Sequence, residues 1–292
     1  MFPVTARDAT SRRDRGSTPS RTVTDPHRVV LLGGTTEARR LATALRDRDD
    51  VAVVTSLAGR TAHPAPLVGP HRSGGFGGAE GLAAYLRAEG VAALVDATHP
   101  FAPQMRWVAS DACSRAGVPR LRLERPAWQP REGDRWRVVA DVAAAAAAVA
   151  SSPRRRVFLT IGRGDLGAFA RWVDARRSFL IRSIDPPEPM PLEHATLVLE
   201  RGPFSLDGER ALFVRYGIDL LVTKNAGGDA TAAKLEAARE LNVEVLLIDR
   251  PPTPEGPLAR GLPDALSWLD TALGCLGASA GPPPPPGRRG GT

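Results

Sequence analysis

The stretch that decides the fold is residues 28–46, RVVLLGGTTEARRLATALR. It opens with a strand-length run of apolar residues, passes through a Gly-Gly-Thr-Thr turn, and continues with apolar residues at three- and four-residue spacing. A strand, a glycine turn and an amphipathic helix in this order are typical of nucleotide-binding α/β units. We therefore predict a strand at 28–32 and a helix at 36–46.

Outward from this corner, short apolar runs alternate with helix-length amphipathic segments. The alternation predicts an α/β protein with two Rossmann-like parallel-sheet domains and the active cleft between them. We expect the first domain at 28–124, a connection rich in proline, tryptophan and charge at 125–136, and the second domain at 137–274. The ends, 1–27 and 275–292, lack periodicity and are predicted to be disordered extensions.

Charge and composition exclude several classes of protein. The chain has 292 residues, 39 Lys and Arg against 32 Asp and Glu, and 5% aromatic residues. Each end carries a net charge of +2, which leaves roughly +3 of the total +7 for the folded middle. Basic residues are not clustered with aromatic ones, so nucleic-acid binding is not expected.

The two cysteines, Cys113 and Cys275, form neither a disulfide pattern nor a zinc motif, which favours a reducing cytoplasm and predicts no metal site. The alanine-rich run 142–150 is about half as long as a bilayer span requires. The arginine-rich N-terminus has no apolar core of the kind a secretory signal needs. We expect a cytoplasmic protein without a membrane anchor.

The first candidate site is the turn in LLGGTTEAR, residues 31–39. Gly33 and Gly34 let a ligand approach the backbone closely, and the start of the helix offers unpaired amides to a phosphate. Thr35 or Thr36 would cap the helix and donate a further hydrogen bond, and Glu37 completes the predicted cofactor-binding set. The alternative is an ordinary strand-to-helix turn, since the motif is not GxGxxG.

The second strand ends in SLAGR, where dinucleotide folds carry the residue that contacts the adenosine ribose. An acidic residue there favours NADH, whereas Arg60 favours NADPH by pairing with a 2′-phosphate. The glycine-rich run 74–81 surrounds one aromatic residue, so Gly75 and Phe76 are candidates for substrate binding. A solvated arginine and a flexible loop are the respective alternatives.

The segment DATHPFA, residues 96–102, follows a buried-looking strand and therefore lies at the carboxyl edge of the first sheet. A carboxyl group in an apolar cleft can have its pKa raised enough to donate a proton near neutrality, which makes Asp96 the candidate acid. His99 is a candidate for substrate binding. The alternative is structural: Asp96 holds a turn and His99 is a hydrogen-bonded scaffold residue.

The second unit repeats the logic of the first in TKNAGG, which predicts a second part of the cofactor site at Thr223, Lys224, Asn225 and Gly227. Other loops that follow strands carry Arg163 and Arg201. Together with Lys224 they predict an electropositive cleft facing the first unit. Each cation alone is equally compatible with a solvated loop.

Taken together, the motifs resemble the precorrin-6A reductase family of cobalamin biosynthesis, in order and spacing, from about residue 28 to residue 255. The resemblance implies NADPH-dependent reduction of one double bond of a contracted tetrapyrrole, giving precorrin-6B from precorrin-6A, with no metal or flavin. It also gives Asp96 a role as the acid, or as the residue that orients it, and gives the cationic loops carboxylates to bind. The motifs are GGTTEAR, SLAGRTA, GGFGGAEGLAAYL, DATHPFA, LERPAW, RGPFS, VTKNAGG and AAKLEAARELNVEVLLIDRP.

Three alternatives remain in view. The substrate could carry cobalt, with NADH or NADPH as donor, or the protein could be a non-catalytic nucleotide or tetrapyrrole sensor. A nucleotide-sugar oxidoreductase is disfavoured, because neither Tyr85 nor Tyr216 has a lysine four residues later. A monomer that meets neighbouring pathway enzymes transiently is the default expectation.

Overall fold

The structure is a computed structural model that describes residues 25–59, 66–172 and 176–279. Most of the predicted N-terminal extension, Arg60, and residues 280–292 of the predicted tail lie outside the described residues.

The first half of the chain forms most of one sheet. Its elements, in order, are β1 (His27–Leu32), α1 (Thr36–Leu45), β2 (Val51–Leu57), β3 (His71–Ser73), α2 (Gly78–Ala88), β4 (Val91–Asp96), α3 (Pro103–Ala116) and β5 (Arg120–Leu123).

The second half forms another sheet and then returns to the first. Its elements are β6 (Trp136–Val139), α4 (Val142–Ser151), β7 (Arg156–Thr160), a 3-10 helix (Arg163–Trp172), β8 (Ser178–Ser183), β9 (Ala195–Leu199), α5 (Leu206–Tyr216), β10 (Leu220–Lys224), α6 (Ala233–Glu240), β11 (Glu244–Ile248), β12 (Leu258–Ala259) and α7 (Leu262–Ser279).

Both sheets have six strands in the described residues, and their strand pairs are all parallel. The order is β12-β5-β4-β1-β2-β3 in the first sheet and β6-β11-β10-β7-β8-β9 in the second. The strand order reverses between β1 and β4 in one sheet and between β7 and β10 in the other. Such switch points open a crevice at the carboxyl ends of the strands, where α/β proteins bind ligands.

Helices cover both faces of each sheet. In the first unit, α1 and α7 pack on one face and α2 and α3 on the other. In the second, α4 and the 3-10 helix lie on one face and α5 and α6 on the other. These layers confirm the predicted α/β class with two Rossmann-like parallel sheets.

The end of the chain differs from the expectation. Residues 258–274, assigned from sequence to the second unit, belong structurally to the first sheet: Leu258 and Ala259 pair with β5, and Ala265, Leu269 and Leu273 pack against the α1 face. That face of the first sheet is covered by two helices, α1 and α7, and without α7 only α1 would cover it. Helix α7 also continues to Ser279, so the first residues of the predicted tail are helical.

Other boundaries moved by a few residues. The apolar runs predict strands at 28–32, 51–55, 92–95, 119–123, 156–160, 179–183, 196–200, 219–223 and 244–248, so β3, β6 and β12 are additional. Strand β6 also takes Trp136 from the predicted connection. The amphipathic pattern after TKNAGG predicts a helix over 230–241, whereas α6 begins at Ala233. The chain thus crosses between the sheets twice, through 124–135 and again through 249–257. Across the described ranges, no helix has both the length and the apolar composition needed to cross a membrane.

Candidate active site

The carboxyl ends of strands from both sheets line one cleft of about 2410 Å³. Pockets for one small ligand usually measure roughly 300–1,000 Å³, so this cleft has room for two large ligands side by side. Its walls include the turn after β1, the end of β2 and the loop after β4 from the first sheet. From the second sheet come the loops after β7, β8 and β10.

The turn after β1 is open to the cleft. Gly34 has a φ of +111°, and a Cβ placed on it would meet nothing within 4 Å. Gly33 has a different role, since a Cβ there would lie 2.9 Å from Thr55 Cγ2 on the neighbouring strand. Gly33 therefore lets β1 and β2 pack closely, while Gly34 provides open space beside the start of α1.

Thr35 is the N-cap of α1, and its hydroxyl group already donates and accepts a hydrogen bond within the protein. Its hydroxyl accepts a hydrogen bond from Ala38 N at 3.2 Å and donates one to Ala97 O at 2.8 Å. Its single proton is therefore not available to a ligand. The backbone amides of Thr36 and Glu37 lie in the first turn of α1, where a helix offers them no carbonyl acceptor. First-turn amides of this kind are the groups that bind phosphate.

Glu37 lines the cleft but pairs with Arg125 of the connection at 2.8 Å. Both side chains are largely buried. An unpaired carboxylate beside a phosphate site would repel the ligand, and this ion pair neutralises it.

The end of β2 also reaches the cleft, where Leu57, Ala58 and Gly59 form part of the lining. Arg60 is the next residue and lies outside the described part of the chain. The prediction that it contacts a 2′-phosphate therefore stays a prediction.

The glycine-rich loop before α2 brings Gly75 and Phe76 into the cleft wall. The Phe76 ring lies under the guanidinium of Arg72 at 3.8 Å and beside Tyr85 at 5.2 Å. A Cβ on Gly81 would overlap the Phe76 carbonyl oxygen. At least part of the high glycine content thus serves close packing of the loop on its own helix.

Asp96 lies beneath the cleft surface. It is 1% exposed and does not contribute to the lining, and its Oδ1 accepts hydrogen bonds from Thr98 N at 3.0 Å and Thr98 Oγ1 at 2.7 Å. Its Oδ2 is buried and has no hydrogen-bond partner in the described structure. Thr98 does line the cleft, so Asp96 is linked to the cleft surface by its hydrogen bonds with Thr98.

His99 lies at the cleft surface. Desolvation by the surrounding walls, with the positive charges of Arg125 and Lys224, lowers the pKa of His99 to about 3. Its Nδ1 accepts a hydrogen bond from Phe101 N at 3.2 Å, so the proton of the neutral ring lies on Nε2. His99 is consequently a hydrogen-bond donor to the cleft rather than a proton source at neutral pH.

The turn after β10 also reaches the cleft, through Gly227 and Gly228, but its glycines are packed against other parts of the chain, in contrast to Gly34. Asn225 does not line the cleft; its side chain accepts from Trp128 N at 2.8 Å and donates to Trp128 O at 3.3 Å. A Cβ on Gly227 would overlap the carbonyl oxygen of Pro126 and lie 2.7 Å from Arg250 Nη2. This turn binds the connection between the sheets, a function that the strand-turn-helix pattern did not predict.

The two crossings of the chain are joined in the same place. Arg250, on the second crossing, pairs with the carboxylate of Glu124 and donates to Arg125 O at 3.1 Å and Asn225 O at 2.9 Å. Glu124 also pairs with Arg106, which is fully buried. We call the set Arg106, Glu124, Arg125, Asn225 and Arg250 the crossing network.

The sequence interpretation gave no role to Glu124, Arg125 or Arg250, although LERPAW and IDRP were among the quoted motifs. The usable signal was a charged residue just before a proline in each string. No period or spacing shows that these two strings meet.

The predicted cations of the second unit do line the cleft. Lys224 pairs with Asp165, and its ammonium lies 5.1 Å from the ring centroid of Phe101. Phe101 comes from the first sheet and packs against the core of the second unit. Arg163 and Arg201 are exposed in the lining, and Thr223 is buried there. In the described parts of the chain, no group of three or more acidic, histidine or cysteine residues could hold a metal.

Two parallel sheets that share one cleft at their switch points define the class of α/β proteins with two Rossmann-like units. A family model described as precorrin-6x reductase CbiJ/CobK matches residues 28–270. The chain belongs to this family, which confirms the resemblance seen in the motifs.

Named relatives agree with the family. The chain is 49% identical to precorrin-6A reductase of Rhodococcus erythropolis, over 84% of this chain and 98% of that protein. It is 46% identical to precorrin-6A reductase of Rhodobacter capsulatus, over 83% and 95%. Cobalt-precorrin-6A reductase of Priestia megaterium is 28% identical over 76% and 90%.

A solved structure named CobK precorrin-6A reductase superposes with a TM-score of 0.79 at 44% identity, covering 84% of this chain and 97% of the other. The two-sheet architecture is therefore that of the family.

Proposed function

We propose that this chain is a precorrin-6A reductase that reduces one double bond of the macrocycle to give precorrin-6B, with NADPH as the donor and the cleft between the sheets as the active site. The observation that carries the proposal is the cleft itself, which joins an open glycine turn at one switch point to cationic loops at the other. Family membership supplies the reaction.

The residues at the turn after β1 fit a dinucleotide. Gly34 leaves space at the start of α1, and the first-turn amides of Thr36 and Glu37 suit a pyrophosphate. When bound, the reduced nicotinamide supplies the hydride. We assign the cofactor to the turn after β1 and not to the turn after β10, which is filled by the connection.

NADPH rather than NADH is the finer part of the proposal and depends on Arg60. The cleft wall at the end of β2 supports it, because Gly59 lines the cleft directly before this residue. Replacing Arg60 by Ala should weaken NADPH binding much more than NADH binding. Equal weakening, or none, would remove the argument for the 2′-phosphate.

A reduction of this kind also needs a proton at the neighbouring carbon. We propose that Asp96 acts through Thr98: the Thr98 hydroxyl donates its one proton to the Asp96 carboxylate, so its oxygen is held at the cleft wall as an acceptor that positions a water molecule, and this water supplies the proton. His99 donates a hydrogen bond from Nε2 to a ligand. Asp96 is thus a positioning residue, which narrows the earlier hypothesis that it is the acid or orients the acid.

Relatives named for the cobalt-free substrate are 45–49% identical to this chain, against 27–28% for those named for the cobalt form. This difference supports a substrate without cobalt. A cytoplasmic location stays our expectation from the cysteine pattern.

The decisive assay is anaerobic incubation of the protein with enzymatically made precorrin-6A and either NADPH or NADH. We expect nicotinamide oxidation, faster with NADPH, and a gain of two hydrogens in the mass of the tetrapyrrole. Binding without a mass change would favour a sensor, unless the cobalt-loaded substrate is reduced in the same assay.

The Asp96→Asn variant tests the proton step. We expect kcat to fall at least tenfold while the Kd for NADPH stays close to the wild-type value, because the residue does not line the cleft. Thr98→Ser, which keeps the hydroxyl, should retain most of the activity, whereas Thr98→Val should lose it. Unchanged turnover in Asp96→Asn rejects the assignment.

A further inference from the structure

The few lysines of this chain all lie in the cleft. Only two of its 39 basic residues are lysines, Lys224 and Lys234, and both line the cleft. Every other cation is an arginine. Lysine offers a compact ammonium that can lose its proton, which arginine cannot do in proteins. Lys224 is already paired with Asp165, so Lys234 is the one whose role is not explained.

Lys234 lies at the start of α6 and is 4% exposed. Its Nζ donates a hydrogen bond to Thr231 O at 2.7 Å and lies 4.8 Å from the Trp128 ring centroid. An ammonium has three protons to donate, and this is the one hydrogen bond that the described structure gives it. The group therefore retains donor capacity at the cleft surface.

The charged groups around Lys234 do not balance it. Arg182, on β8, lies against the Phe204 ring at 3.7 Å and pairs with Glu209 of α5 at 2.7 Å. Arg125 of the connection, which is paired with Glu37, is a weaker positive neighbour. Glu200 reaches Arg182 at 3.6 Å but is half exposed, so solvent screens it.

In this pocket, therefore, two buried cations, Arg182 and Lys234, face one buried carboxylate, Glu209. Burial, with Arg182 as the next contribution, lowers the pKa of Lys234 to about 7, which Glu209 opposes. An arrangement short of one negative charge is stabilised by a ligand that brings one.

We propose that Lys234 and Arg182 form an oxyanion subsite in the second-unit wall of the cleft. Its ligand is an anionic oxygen group, either a carboxylate at the rim of the macrocycle or a phosphate of the dinucleotide. The inference rests on the proposed function for the identity of these ligands. The flat faces of Trp128 and Phe204 beside the cations suit a carboxylate carried on a large apolar ring.

The test compares Lys234→Met, which has a similar shape without charge, with Lys234→Arg and wild type. The Kd values for precorrin-6A and for NADPH are measured separately and anaerobically by tryptophan fluorescence, so that turnover is not required. We expect Lys234→Met to weaken one of the two ligands roughly tenfold, as loss of a charge-assisted hydrogen bond does. Lys234→Arg should recover part of the affinity.

The ligand that is weakened identifies the source of the oxyanion: precorrin-6A for a carboxylate and NADPH for a phosphate. Arg115→Met, on an exposed turn of α3, removes a cation outside the cleft and should change neither Kd. If Lys234→Met changes neither Kd, or lowers only kcat, the subsite is wrong. If the Kd effect is present but precorrin-6A is never reduced, the proposed function fails and the subsite stands.

A second measurement follows the Nζ group directly. In wild type labelled with ¹⁵N-lysine, the two lysines give two Nζ resonances; the first, from Lys224, is the one that Lys234→Met retains, and the second is that of Lys234. Binding of the oxyanion should shift the titration of the second resonance upward by at least one pH unit. An unchanged titration with both ligands saturating overturns the proposal.

Discussion

The turn after β1 and the turn after β10 follow the same plan, a strand, a pair of glycines and a helix, and each lies at the switch point of its sheet. Their surroundings differ. Gly34 meets nothing within 4 Å, whereas Gly227 and Gly228 lie against Pro126, Arg125 and Arg250. One turn is open to a ligand, and the other holds the connection between the sheets.

The difference shows that a glycine pair indicates close approach to the backbone, but does not indicate whether a ligand or another part of the chain approaches. At the first turn the space beside the backbone is left for a ligand. At the second, the chain itself fills that space with residues 124–128 and Arg250. A local pattern cannot distinguish these cases, because the partner is more than twenty residues away in sequence.

The largest effect is expected where the turn after β10 meets the crossing network. Glu124→Gln removes the carboxylate that faces Arg106 and Arg250, leaving buried guanidinium groups without a counter-charge. Loss of one partner of a buried pair costs about 3–5 kcal/mol. The melting temperature should fall by roughly 6–12 °C; a fall below about 2 °C would show that the network does not stabilise the fold.

Gly227→Ala should act on the same turn with a somewhat smaller effect. The new Cβ would overlap the Pro126 carbonyl oxygen, and φ is already +69°. We expect a loss of about 2–3 kcal/mol in the free energy of unfolding. Cofactor affinity, measured below the melting transition, should change little. A variant that keeps its stability but loses NADPH binding would make the second turn a cofactor site after all.

Gly34→Ala is the matched change at the open turn, and its effect should fall on binding. The positive φ costs stability of about 1 kcal/mol or slightly more, but no neighbouring atom is displaced. The methyl group takes the space assigned to the cofactor, so the Kd for NADPH should rise at least tenfold. Isothermal titration calorimetry gives the Kd for NADPH, and thermal melts give the stability. Gly34→Ala should lose mainly binding, whereas Gly227→Ala should lose mainly stability.

The smallest effect concerns His99, at the surface of the cleft. The pKa of His99 is lowered in the folded protein. Between about pH 6.5 and pH 3, His99 is therefore protonated in the unfolded chain but neutral in the folded chain. The wild type should therefore lose stability as the pH falls through this window. His99→Gln, which cannot titrate, should lose less between pH 7 and pH 4.5 in thermal melts. Parallel losses in both proteins would mean that the ring titrates normally.

Much of the fold was predictable from periodicity. Most strands and helices lie within a few residues of the segments that alternating apolar patterns indicated, since each sheet is buried on both faces. The return of β12 and α7 to the first sheet was not predictable. Leu258 and Ala259 form a two-residue strand, too short to carry a periodic signal, and their partners lie in β5.

The site was predicted in part. Gly34, Lys224, Phe76 and His99 line the cleft as expected, because the ends of parallel strands meet at one edge. Asp96 and Asn225 were placed in the right loops, but their side chains point into the protein and hold Thr98 and Trp128. Loop position follows from sequence order, whereas the direction of a side chain depends on neighbours from elsewhere in the chain.

The late position of β12 and α7 also bears on how the protein is made. The first sheet needs α7 to cover the apolar face that α1 leaves open, yet α7 leaves the ribosome only after all strands of the second sheet. Domains usually fold from the N-terminus as they are synthesised. Here the unit that is translated first is completed last, so the nascent chain must keep an apolar sheet face uncovered while the whole second unit emerges.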